Sequence, residues 1–92
     1  MTRAEEFEQL RALLFAIAYR ILGSVAEAEA EAEVAVQETW LRYEDSPTQP
    51  LSTGAFLSAV VTRVSIDVRS ARVRREAYVG QWFPRAIAHR PL

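Results

Sequence analysis

Four closely spaced arginines, Arg69, Arg72, Arg74 and Arg75, are the residues of this chain best suited to binding chemistry. On a helix, positions 69, 72 and 75 lie along one side, so Arg69, Arg72 and Arg75 are expected to face a phosphate backbone together. A planar guanidinium suits that task because its fork can hold two phosphate oxygens. The competing reading is a solvated helix end whose arginines complement the C-terminal dipole. The charge split favours the first reading. Residues 1–46 carry four arginines against ten acids, whereas residues 47–92 carry seven arginines against two. Such asymmetry within 92 residues suggests two partners of different character, one of them an anion.

Other chemistries find little footing. The chain has no cysteine, so neither a thiol nucleophile, a disulfide framework nor a thiolate metal site is available. Its one histidine, His89, stands near the C-terminus, and no glycine-rich phosphate loop is present. The carboxylates of Glu27, Glu29, Glu31 and Glu33 alternate with alanines as solvated helix residues, without the apolar pocket that raises a catalytic acid's pKa. No catalytic role, metal or cofactor is expected. No apolar run approaches the roughly 20 residues needed to span a bilayer, so a cytoplasmic protein is the default expectation.

The elements that must position these residues are helical. Half the residues are apolar and a quarter charged, which suits one small globular domain. Leu10, Leu13, Leu14, Ile17, Ala18, Ile21 and Leu22 recur at three-and-four spacing on one face of a first helix, ended by Gly23. Ser24-Val25-Ala26-Glu27 has the form of a capping box for a second helix over about Val25 to Tyr43. Its expected core face is Ala28, Ala32, Ala35, Val36, Thr39, Trp40 and Tyr43. Its alanine-rich half is expected to pack loosely. So short a connection should leave the two helices antiparallel.

Residues 44–54, with two prolines, read as a loop, and Ser52 or Thr53 can cap a third helix starting near Ala55. That helix should bury Phe56, Leu57, Val60, Val61, Val64 and Val68, with Arg63 and Asp67 paired on its outer side. From Tyr78 onward no period is evident, so an extended tail is expected. Trp82 and Phe83 within it either fold back or serve a neighbouring domain. The fold expectation is all-α: a small bundle of three main helices, with room for a fourth short one, and an extended C-terminal tail.

Taken together, three segments resemble region 2 of extracytoplasmic-function (ECF) sigma factors. They are Leu14-Phe15-Ala16-Ile17-Ala18-Tyr19-Arg20-Ile21-Leu22-Gly23-Ser24, Val36-Gln37-Glu38-Thr39-Trp40-Leu41-Arg42, and the run from Ala55-Phe56-Leu57 to Asp67-Val68-Arg69-Ser70-Ala71-Arg72. The stretch Arg74 to Trp82 is similar to the subgroup with a SnoaL-like C-terminal extension. The resemblance implies a region 2 domain over residues 1–76 and a linker or tail over 77–92. It implies that Glu33, Gln37, Glu38, Leu41 and Arg42 bind the clamp helices of the β′ subunit of core RNA polymerase. It further implies that Ser52, Thr53, Gly54 and Phe56 receive a base of the promoter minus-ten element. Arg63, Arg69, Arg72 and Arg75 would then hold the non-template strand as it melts. A flipped base can be read on its pairing edge, which suits a strand being opened. An anti-sigma factor, or a C-terminal domain of the same polypeptide, is the regulatory partner implied.

The chain also departs from the family pattern. Val34 stands where the family carries an acid three residues ahead of the glutamine, and the stretch from Gly23 to Gln37 is about four residues longer, roughly one helical turn. Thr53-Gly54 replaces Pro-Arg before the third helix, and Phe83-Pro84-Arg85-Ala86 replaces the subgroup's Pro-Glu-Pro-Leu. Nothing resembles the helix-turn-helix of region 4, so the chain reads as either an excised fragment or a natural truncation, and a tail expected to end without a helix or cap favours the fragment. These departures support a rival reading: a degenerate sigma-like helical module that binds a protein but no promoter.

Overall fold

The computed structural model describes the backbone of residues 1–88 and the side chains of residues 1–78. Three helices follow one another: α1 over Arg3–Leu22, α2 over Ala28–Asp45 and α3 over Thr53–Ala88. No strand occurs among the described residues, and the architecture is the expected all-α bundle.

The first helix is fixed at both ends by local chemistry. Thr2 Oγ accepts from Glu5 N at 3.1 Å while Glu5 Oε1 accepts from Thr2 N at 2.8 Å, a reciprocal capping box. The Thr2 backbone N–H, and after it the Thr2 hydroxyl, hold the Glu5 carboxyl below its ordinary range. At the other end Gly23 takes φ 83, a left-handed value that a side chain would resist, and turns the chain toward α2.

The second helix begins later than the sequence suggests. Ser24 does not cap it. The Ala28 N–H bonds Val25 O at 3.0 Å, so the backbone closes the turn itself. Glu27 becomes the N-cap without a side-chain bond. The core face of α2 is otherwise as expected: Ala28, Ala32, Ala35, Val36, Thr39 and Tyr43 are buried, and Trp40 is half-buried. In this half of α2 the core contacts are made by the small side chains of Ala28, Ala32 and Ala35, all fully buried. Thr39 satisfies its buried hydroxyl on Ala35 O at 2.8 Å.

Contacts across the bundle give its direction. Phe7, near the start of α1, packs edge-on against Trp40, near the end of α2, with ring centroids 5.2 Å apart. These helices are therefore antiparallel. Thr53 at the start of α3 meets Glu6, and Arg72 further along meets Leu22, so α3 runs parallel to α1. Phe7, Leu14, Ala18 and Leu22 of α1 join Leu57, Val61 and Val64 of α3 in one core. Leu10, Ile17, Phe56, Val60 and Val68 lie at its margin, and Leu13 is exposed.

Ser52 caps α3, its Oγ accepting from Ala55 N at 3.2 Å, so the helix starts two residues before Ala55. The helix then runs on to Ala88, through the residues expected to be an extended tail. Lack of hydrophobic period does not end a helix already nucleated, since each added residue other than Pro84, which has no N–H, gains one hydrogen bond. The side chains of Trp82 and Phe83 lie outside the described residues.

Candidate functional site

On α2, residues Glu33, Gln37 and Leu41 follow one another every fourth position, a spacing that keeps them on one side of the helix. All three are exposed, because the opposite face carries the buried Ala32, Ala35, Val36, Thr39 and Tyr43. Arg42 is exposed as well, and its Nε meets the half-buried Glu38 carboxylate at 3.1 Å. Leu41 is 45% exposed and Val34 60%, so two apolar side chains stand among acids and an amide without cover. A shallow groove between α1 and α2, lined by Glu8, Arg11, Ala12, Phe15, Glu33 and Val36, borders this surface. The arrangement offers a mixed apolar and acidic patch on a rigid helix, of the kind another helix can dock against.

On α3 the arginines divide. Arg72 is 8% exposed; Nη1 reaches Glu31 Oε1 at 2.6 Å and Nη2 reaches Leu22 O at 2.8 Å. It pins the last carbonyl of α1, which lacks an intrahelical partner, to the acid of α2. Arg72 is therefore not one of a row of arginines facing outward, and the expected Arg69, Arg72, Arg75 face is corrected. With 3.6 residues per turn, Arg69 and Arg75 lie about 60° to either side of the inward-pointing Arg72. Both are exposed. The signal is present in the sequence: Leu57, Val61, Val64 and Val68 form the inward row, and Arg72 is its next member.

Opposite Arg72 runs the outward row of Arg63, Asp67, Ser70 and Arg74, all exposed. Arg74 belongs to this surface although the phosphate-facing set expected from the sequence does not include it. Arg63 and Asp67, expected as a pair, form neither hydrogen bond nor ion pair among the described residues; both line a shallow groove with Ser58, Ala59, Thr62 and Ile66. A second groove along the same helix is lined by Ile66, Arg69, Ser70, Val73 and Arg74. The exposed basic groups on the described part of α3 are thus Arg63, Arg69, Arg74 and Arg75.

The loop before α3 is more ordered by polar contacts than its composition suggests. Thr53 donates to Glu6 Oε2 at 3.2 Å and Tyr43 donates to Glu6 Oε1 at 3.3 Å. Gln49 Nε2 lies between them, 3.0 Å from the Tyr43 hydroxyl and 3.3 Å from Thr53 Oγ. The Glu6 carboxylate thereby sits at the N-terminus of α3, where the helix dipole favours negative charge. Ser52 is committed to its cap. Phe56 packs half-buried with its ring centroid 6.1 Å from that of Tyr43. Gly54, in the first turn of α3, has nothing among the described residues within 4 Å of where a Cβ would stand, so the helix start is open on that side. Arg3, Glu6 and Gln49 carry no local signature, since their partners come together only in the folded chain.

Among the described residues no three His, Asp or Glu side chains gather where a metal ion would bind. None of the described helices is long and apolar enough to cross a membrane.

No family model and no solved structure matches the chain. Over 83 residues, 89% of its length, the chain is 45% identical to the ECF RNA polymerase sigma factor SigJ of Mycobacterium tuberculosis. It spans 25% of that relative.

Proposed function

We propose that this chain is a sigma factor region 2 domain, over residues 1–76, with 77–92 leading away from it. In this reading it has no catalytic activity of its own and acts in the cytoplasm. It binds core RNA polymerase and engages the minus-ten element of the promoter during transcription initiation. The identity with an ECF sigma factor supports the role in transcription. The observation that carries the assignment is the separation of two exposed surfaces. The residues Gln37, Leu41 and Arg42 stay out of the core on the acidic helix, and exposed arginines line the helix that follows the polar loop.

In this reading Glu33, Gln37, Glu38, Leu41 and Arg42 contact the β′ clamp helices, with Leu41 as the apolar anchor and the charges setting register. Ser52, Thr53, Gly54 and Phe56 border the place where a base of the non-template strand is received. Arg63, Arg69, Arg74 and Arg75 bind its phosphates, and Arg72 supports them from within. The burial of Arg72 favours the rival, a protein-binding module without promoter contact, by removing one cation from the strand surface.

The experiment is the salt dependence of single-stranded oligonucleotide binding by the chain and its Arg69→Ala/Arg74→Ala/Arg75→Ala variant. Each lost phosphate contact lowers the log–log slope by about 0.7, so the triple variant should flatten it by about 2. An unchanged slope would take the DNA role away from α3 and leave the protein-binding module.

A further inference from the structure

One guanidinium gathers the loop. Arg3 Nη1 lies 2.6 Å from Tyr43 O, 3.1 Å from Ser46 O and, more loosely, 3.4 Å from Glu44 O. Its Nη2 meets Thr48 O at 3.1 Å, and its Nε meets Gln49 Oε1 at 3.0 Å. The guanidinium carbon also stands 4.9 Å from the centroid of the Tyr43 ring. The carbonyls of Tyr43 and Glu44 belong to the last turn of α2, past the regular helical bonds, and Tyr43 O also accepts the Ser46 N–H of the C-cap at 3.1 Å. A cation there complements the helix dipole, and only a planar fork with five N–H groups can address so many acceptors at once.

The consequence runs past the end of α2. Gln49 is held by Arg3 through its oxygen, which orients its amide nitrogen toward Tyr43 and Thr53. Thr53 is the first residue of α3, next to the open Gly54. Arg3 itself is fixed in place by the Thr2–Glu5 capping box on either side of it. A chain of contacts therefore links the first turn of α1 to the mouth of the loop.

We propose that Arg3, acting through Gln49, is a positioning residue that holds residues 46–54 in the shape that receives a base of single-stranded DNA. This rests on the reading of that loop as a base contact. A preformed loop discriminates between bases because a wrong base leaves polar groups unpaired; a loop free to rearrange satisfies any base. The Arg3 guanidinium is engaged by acceptors of the protein itself, the Gln49 amide oxygen and the carbonyls of residues 43, 44, 46 and 48. Its effect is on selectivity, not on electrostatic affinity.

The test compares the chain with its Arg3→Met, Arg3→Lys and Gln49→Ala variants, each checked for folding by circular dichroism. A randomised single-stranded DNA pool is selected on each, and the salt slope of binding is measured. Hydrogen exchange is followed at the Ser46 and Phe56 amides, which bond Tyr43 O and Ser52 O. In Arg3→Met the preference for the favoured base should fall by about tenfold, the scale of one lost polar base contact, at an unchanged salt slope. Exchange at the two amides should quicken, and Arg3→Lys should recover only part of either effect. Retained preference and unchanged exchange in a folded Arg3→Met variant would overturn the proposal. So would a slope lower by about 0.7, which would make Arg3 a phosphate contact. If Arg3→Met does not fold, Gln49→Ala carries the preference and exchange outcomes, and Arg3→Lys the comparison of salt slopes. If the unaltered chain enriches no base while exchange still quickens in Arg3→Met, the base-reading function fails; the Arg3 contacts then have a structural role alone, and the proposed positioning role is overturned.

Discussion

Replacing Arg72 by Met separates an internal clamp from a DNA contact. The Arg72 and Glu31 side chains are 10% and 14% exposed and meet at 2.6 Å, and the second nitrogen holds Leu22 O at 2.8 Å. Methionine fills much of the same volume, so packing changes little; what is lost is the ion pair and one charge-assisted bond to a helix end. Breaking a buried pair from one side costs about 3–5 kcal/mol, and the residual solvent access of Glu31 lowers this to about 2–4 kcal/mol. A domain of this size holds about 5–14 kcal/mol in total, so the loss is large and lowers Tm by roughly 10–25 °C. Urea denaturation followed by circular dichroism measures it. The companion change Glu31→Leu removes the stranded acid, so the double variant should regain about 1–3 kcal/mol relative to the sum of the singles. A stability shift of less than about 0.5 kcal/mol in Arg72→Met, together with a DNA salt slope lower by about 0.7, would instead make Arg72 an exposed phosphate contact.

Three further outcomes are expected. Ser65 is buried, and its hydroxyl has no hydrogen-bond partner among the described residues, so Ser65→Ala should raise stability by about 0.5–1 kcal/mol in the same denaturation assay; a loss would mean that the hydroxyl has a partner. Val34→Asp, on an exposed position, should leave stability within about 0.5 kcal/mol. It should tighten binding to a clamp-helix fragment about two- to fivefold, the worth of one rim charge, as read by calorimetric titration. Glu5 is depressed in the folded chain, so the contribution of its cap is complete above the ordinary carboxylate pKa and is lost as pH falls through the folded value. A carboxyl-carbon NMR titration should place Glu5 below the ordinary glutamate range, and Thr2→Ala should move it upward.

Local pattern accounts for much of what is legible in the sequence. The three-and-four spacing of Leu14, Ala18 and Leu22, and of Ala28, Ala32, Ala35 and Val36, places two helices and most of their buried faces, and Gly23 marks the turn between them. Cap chemistry is less legible. Ser24 matches a capping-box pattern that the folded backbone bypasses, while the box that does form, at Thr2 and Glu5, lies ahead of the periodic residues that announce α1. Residue type sends Arg72 to solvent, although its position continues the row Leu57, Val61, Val64 and Val68. A long cationic side chain on an inward row finds its acceptors in a helix end and an acid supplied by other elements, which no local window contains. The Arg3 network is invisible for the same reason: its partners lie forty or more residues along the chain. On the proposed polymerase face, the spacing of Gln37 and Leu41 foretells their exposure, but only the folded core fixes which side of α2 remains uncovered.

The polymerase-binding role of α2 is tested by calorimetric titration of this chain with a β′ clamp-helix fragment, alongside its Gln37→Ala and Leu41→Ala variants. Both side chains are exposed, so both variants should fold normally. The unaltered chain should bind, and each variant should lose about tenfold or more in affinity, as expected of central residues in a helix-docking patch. Binding that is absent in the folded chain, or undiminished in both variants, would contradict the placement of the polymerase surface on α2.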